Sequence, residues 1–139
     1  MKQQDVIEHW ANRWRSLAAW RAMIPMRITC KTRKTKRRAG TAWSHEGRAV
    51  VYLSDNLAYD LATVLHELAH LAAPNSEHHG EQWRKLFVAA AVEALGGPDD
   101  YEIDDVNYGE LDEQVEDAVR AWLKRTGQAD VLRAIGVAP

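Results

Sequence analysis

The amino-acid sequence predicts an α+β fold in which one helix and a small antiparallel sheet precede a run of further helices. Three observations predict it. Apolar residues recur at three- and four-residue steps before position 25 and after position 56, whereas the stretch between alternates apolar and polar. Pro25, Pro74 and Gly96-Gly97-Pro98 fall where those patterns break. A length of 139 residues suits a single domain, 1–139, with a core of its own.

Taken in order, residues 4–23 read as an amphipathic helix through Val6, Ile7, Trp10, Trp14, Leu17 and Ala18, ended by Pro25. Its tryptophans at 10, 14 and 20 read as packing residues rather than a ligand platform. Residues 26–31 alternate as a half-buried strand does, 40–44 suggest a second strand, and 48–53 a third after the Glu46-Gly47 turn. Ser54, Asp55 and Asn56 are capping residues for a helix over 57–73, which Pro74 stops. A helix over 81–95 ends at Gly96-Gly97-Pro98, and helical spacing resumes over 111–124 and again near 129–135. Residues 99–110 read as an exposed acidic loop.

Charge is unevenly placed. Residues 1–48 carry twelve basic and three acidic side chains; residues 49–139 carry six basic and seventeen acidic ones. The basic excess peaks in the run 31–38, which reads either as a nucleic-acid contact or as a solvated hairpin loop facing the acidic segment. No aromatic residue interleaves it, which disfavours a base-stacking site. No apolar run approaches the length of a membrane span, and the N-terminus lacks the basic start and apolar core of a signal peptide. The single cysteine, Cys30, cannot form an internal disulfide, which suits a cytoplasmic setting. A four-cysteine zinc ribbon is excluded, so a metal must rest on histidines and carboxylates.

The 57–73 helix is apolar around most of its circumference. Thr63, His66, Glu67 and His70 are the exceptions, and they fall at i, i+3, i+4 and i+7 along one stripe. A buried helix tolerates such a stripe when its groups are paired, wetted or metal-bound. His66-Glu67-Leu68-Ala69-His70 is a His-Glu-x-x-His motif: two imidazoles one turn apart can bind one Zn²⁺, and the glutamate can reach a metal-bound water. Glu67 is then the general base of a zinc-dependent hydrolase, acting on peptide bonds in a protein or peptide substrate.

A catalytic zinc site takes three protein ligands. His79 is the first candidate for the third, because it lies just past the helix-ending proline and beside Gly80, with His78, Glu81 and Glu93 as alternatives. Tyr101, Tyr108 and Arg84 are candidate donors to the developing oxyanion, and Asp104 and Asp105 candidate partners for the ligand imidazoles. If the strand 48–53 is a sheet edge beside the metal, an extended peptide can add to it as another strand.

The run His66-Glu67-Leu68-Ala69-His70-Leu71, followed by His79-Gly80-Glu81-Gln82-Trp83, resembles the SprT-like zinc metallopeptidases over roughly residues 48–95. The resemblance implies a zincin-like fold, zinc ligands at His66, His70 and His79, Glu67 as general base, and Trp83 as a packing aromatic. The chain also resembles small metallohydrolases of actinobacteria and their phages. It departs from the SprT-like pattern in the short segment between His70 and His79 and in having no cysteine ribbon. Ser76 stands where a Met-turn peptidase needs a histidine, and the glutamate-asparagine pattern of antirepressor peptidases is missing. A thermolysin-like site would call on Glu93. A reading of another class is a non-catalytic module, zinc-stabilised or metal-free, that uses the loop 31–38 to contact nucleic acid or protein.

Overall fold

The computed structural model describes residues 3–32, 43–45, 48–54, 56–74, 79–96 and 108–126. Among them, four helices and three strands run in the order α1 (Gln3–Trp14), β1 (Arg27–Thr32), β2 (Trp43–His45), β3 (Arg48–Leu53), α2 (Leu57–Ala72), α3 (Glu81–Leu95) and α4 (Tyr108–Arg125). The α+β class agrees with the sequence pattern. The basic residues at 33–38, the acidic residues at 99–105 and the helix expected near 129–135 lie outside the described residues.

α1 buries Val6, Ile7, Ala11 and Trp14, and it is shorter than the apolar spacing over 4–23 suggests. Hydrogen bonds from elsewhere in the fold replace its next turns. The Trp20 indole N–H donates to the Trp14 carbonyl at 2.7 Å, and the Glu93 carboxylate accepts from the amides of Ala18 (2.7 Å) and Ala19 (3.1 Å). The chain continues as turns closed by three-residue bonds, Leu17 to Trp14, Trp20 to Leu17 and Met23 to Trp20.

The sheet corrects the antiparallel expectation. Its order is β1-β3-β2, with β1 and β3 parallel and only β2 and β3 antiparallel. Period-two alternation decides which side chains share a face but carries no information about strand direction. The parallel register sets Ile28 beside Ala49 and Cys30 beside Val51, so the buried residues of both strands lie on one face. Residues 33–47 are long enough for the crossover that parallel strands need. The outer edge of β1 is closed by α1. Asn12 accepts from the Ile28 amide at 2.9 Å and donates to the Ile28 carbonyl at 2.8 Å, while Glu8 accepts from the Cys30 amide at 2.8 Å. Two side chains thus serve as a neighbouring strand would.

α2 is the centre of the molecule, with α1, α3, α4 and β3 all packed against it. Asn56 caps it, accepting from the Tyr59 amide at 3.0 Å. Asp60, 0% exposed, fixes the turn from β3 by accepting from the Ser54 amide (2.9 Å), the Ser54 hydroxyl (2.8 Å) and the Asn56 amide (3.3 Å). α3 buries Trp83, Phe87, Ala90, Ala91 and Leu95, and ends at Gly96, whose φ of 72° suits glycine. α4 starts a turn earlier than its apolar spacing suggests, and buries Leu111, Val115, Ala118, Val119, Trp122 and Leu123. Trp10 and Trp14 of α1 meet Trp122 of α4 at 4.9 and 5.7 Å between ring centroids, a packing role. No described helix is long and apolar enough to cross a membrane.

Candidate metal centre

The polar stripe of α2 is where the helix meets the start of α3. Thr63 and Glu67 are buried and His66 and His70 half-buried, a cost that a helix bears only when the groups are engaged. His79 arrives from just before α3 and is itself 7% exposed. The Nε2 atoms of the three histidines form a nearly equilateral triangle, with His66 to His70 and His70 to His79 each 3.2 Å and His79 to His66 3.1 Å.

The rings are arranged as a propeller. Their centroids are 4.8–5.0 Å apart and their planes cross at 61–64° in all three pairs. Because the nitrogens are so much closer together than the centroids, each ring points its Nε2 inward at one shared centre. The lone pair or proton on an imidazole nitrogen lies in the ring plane, along that same direction. Three such nitrogens therefore aim at the centre of the triangle rather than at one another. A cation near that centre can be met by all three at once, and His66, His70 and His79 lie close enough to bind a metal ion.

The surrounding residues hold this geometry. Trp83, fully buried, lies against all three imidazoles, edge-on to His66 (4.7 Å) and His79 (4.6 Å) and stacked on His70 (5.2 Å, 27°). Its indole N–H donates to the His66 carbonyl at 3.2 Å, tying α3 to α2. Phe87, one turn further along α3, meets Trp83 at 5.0 Å and His66 at 5.7 Å. His79 has φ of 58°, in the left-handed region that costs a non-glycine residue about 1 kcal/mol. The Arg84 Nε–H donates to the His79 carbonyl at 3.0 Å and secures that conformation. On the α4 side, the Asp112 carboxylate lies 2.7 Å from His66 Nδ1. Tyr59, on the same face of α2 before His66, has its phenol pKa raised by burial and then by the charges of Asp112, Asp60 and Glu116, against a lowering hydrogen bond from Thr63.

Of the residues singled out in the sequence, His66, His70 and His79 come together, with Glu67 buried on the same stripe of α2. Glu93 does not join them. It sits at the far end of α3, about 15 Å along the axis from Trp83, where its carboxylate holds Ala18 and Ala19. Glu81 is exposed and pairs with Lys85 at 2.8 Å. The strand-addition idea also changes, because β3 is the central strand, flanked by β1 throughout and by β2 over Arg48–Val50. His78, Ser76, Tyr101, Asp104 and Asp105 lie outside the described residues; Tyr108 opens α4.

Asp112 is the residue that sequence reasoning missed. Ten acids crowd residues 99–117, and its position beside the apolar Leu111–Val115 stripe of α4 is the one signal that sets it apart. The resemblance implies a packing role for Trp83, but the pattern does not reveal that it underlies every imidazole. No protein-family model, no curated protein and no solved structure matches this chain, and the meaning of the centre is carried by its own geometry.

Proposed function

We propose that the protein is a zinc-dependent hydrolase of peptide bonds, with His66, His70 and His79 as the metal ligands and Glu67 as the general base. The observation that carries the reading is the convergence of three imidazole Nε2 atoms at 3.1–3.2 Å on one centre. Zinc–nitrogen bonds of about 2.0–2.1 Å at tetrahedral angles require nitrogens roughly 3.3–3.4 Å apart, about 0.1–0.3 Å wider than that spacing. An all-imidazole donor set suits zinc and disfavours hard cations such as calcium and magnesium, which take oxygen ligands.

When bound, zinc supplies Lewis acidity that lowers the pKa of a water towards about 7 and polarises a carbonyl. His66, His70 and His79 would hold the ion, three protein ligands being the number a catalytic zinc site takes. Glu67 follows His66 directly and is 7% exposed, so its carboxylate works in a partly dry environment. It accepts the proton of the attacking water and returns it to the departing nitrogen. Trp83 closes the protein side of the centre and keeps the three rings in register. Peptide bonds are favoured as substrate by the likeness of His66–Trp83 to the SprT-like pattern.

Glu67→Gln tests the reading. On a mixed peptide library with zinc-loaded protein, the substitution is expected to reduce hydrolysis by about 10²–10⁴-fold while zinc content stays unchanged. Hydrolysis undiminished in the variant would show that Glu67 is not the base. Binding activity with no hydrolysis in either protein would favour a non-catalytic module.

A further inference from the structure

We propose that Asp112 is a positioning residue that holds His66 in the tautomer able to bind metal, making the docking of α4 and the loading of the centre one linked equilibrium. The inference rests on the zinc reading above. An ionised carboxylate only accepts hydrogen bonds, so a 2.7 Å contact with His66 Nδ1 requires the proton to be on Nδ1. In a neutral imidazole that leaves Nε2 with a free lone pair, and Nε2 is the atom facing His70 and His79. The opposite tautomer would set a nitrogen lone pair against carboxylate oxygens at the same distance. Trp83 at 4.7 Å and Phe87 at 5.7 Å flank the ring but present no charge, so packing confines its plane and Asp112 decides which nitrogen faces the centre.

The carboxylate comes from a different helix than the ligands. Leu111 and Val115, on either side of it in α4, are fully buried, so Asp112 reaches His66 only when α4 is seated on α2. Asp112 is 35% exposed on its side chain and His66 14%, so undocking α4 would open this contact to water. Binding equilibria are reciprocal: if seated α4 improves metal affinity, bound metal must seat α4 more firmly by the same factor.

The test uses the full chain and zinc alone, at one fixed pH near 8, with Asp112→Asn, Asp112→Ala and Glu113→Gln. Glu113 is an exposed acid on the same helix, and its substitution removes a charge without touching His66. Zinc affinity by chelator competition is expected to fall about 10-fold in Asp112→Asn and up to about 100-fold in Asp112→Ala, with Glu113→Gln at the wild-type value. Long-range proton–nitrogen correlation spectra of the metal-free wild type should show His66 Nε2 as the unprotonated nitrogen, and Asp112→Asn should lose that preference. Zinc should slow amide exchange in α4 of the wild type and not of Asp112→Ala. Unchanged affinity and tautomer in Asp112→Asn, or an equal loss in Glu113→Gln, would overturn the assignment and leave the zinc reading standing. Wild-type protein that binds no zinc would overturn both.

Discussion

α2 carries two polar clusters, one at each end of its buried face, that are met in opposite ways. At its N-terminus, Asp60 spends its carboxylate on the Ser54 amide, the Ser54 hydroxyl and the Asn56 amide, all within six residues. Further along the helix, His66 and His70 meet His79 with their nitrogens converging on a point between them. The first arrangement is complete within the protein and fixes the turn from β3. The second brings three ring nitrogens from two parts of the chain to one centre, and the left-handed backbone of His79 adds to its cost. A buried group whose partners are all local reads as structure; side chains from separate elements that converge on one point read as a site.

That contrast can be broken most sharply by exchanging the readouts. His70→Ala should weaken zinc binding by at least about 100-fold while the metal-free protein keeps its melting temperature within a few degrees. Asp60→Ala should do the reverse. Loss of the carboxylate that holds the part-buried Ser54 and Asn56 amides costs about 1–3 kcal/mol, seen as a lower urea midpoint, with zinc affinity of the folded fraction little changed. If both substitutions act on stability alone, the distinction between the two clusters fails.

Trp83→Leu joins the two behaviours, since the indole is both core and support for the centre. It should cost about 2 kcal/mol in urea unfolding and also weaken zinc binding several-fold, because the rings of His66, His70 and His79 lose their shared neighbour. A stability loss with unaltered zinc affinity would mean the propeller of rings is held from elsewhere.

The smallest effect concerns Cys30, buried between α1 and β3. Burial, then the charges of Glu8 and Asp60, pushes its thiol up to about 12. Below pH 9 both folded and unfolded chains keep the proton. Between about 9 and 12 only the folded chain does, so this group's contribution to stability is lost as pH rises through that window. The native protein should resist iodoacetamide at pH 8 and react on unfolding; fast labelling of the folded chain would contradict this.

What the sequence revealed follows from which signals are local. The four-residue step from His66 to His70 on an otherwise apolar helix was enough to find α2 and its stripe. Gly96 marked the end of α3, and the alternation of 48–53 matched β3. Signals that depend on distant partners were not legible. The length of α1 depended on Trp20 and on Glu93, which lies 75 residues beyond Ala18. The direction of β1 rests on its pairing with β3, which sets Arg27 beside Arg48 and Thr32 beside Leu53. Asp112 looks like its acidic neighbours until α4 is laid against α2. Among the candidates for a third ligand, the place of His79 beside Gly80 is the local signal that singles it out, but its left-handed backbone is not legible in the sequence.

Native mass spectrometry of tag-free protein decides whether the three histidines hold zinc, as proposed. The wild type should carry about one zinc ion per chain, and His79→Ala should carry little or none. Wild-type protein with no bound metal after zinc is supplied would show that the three histidines are not a zinc site.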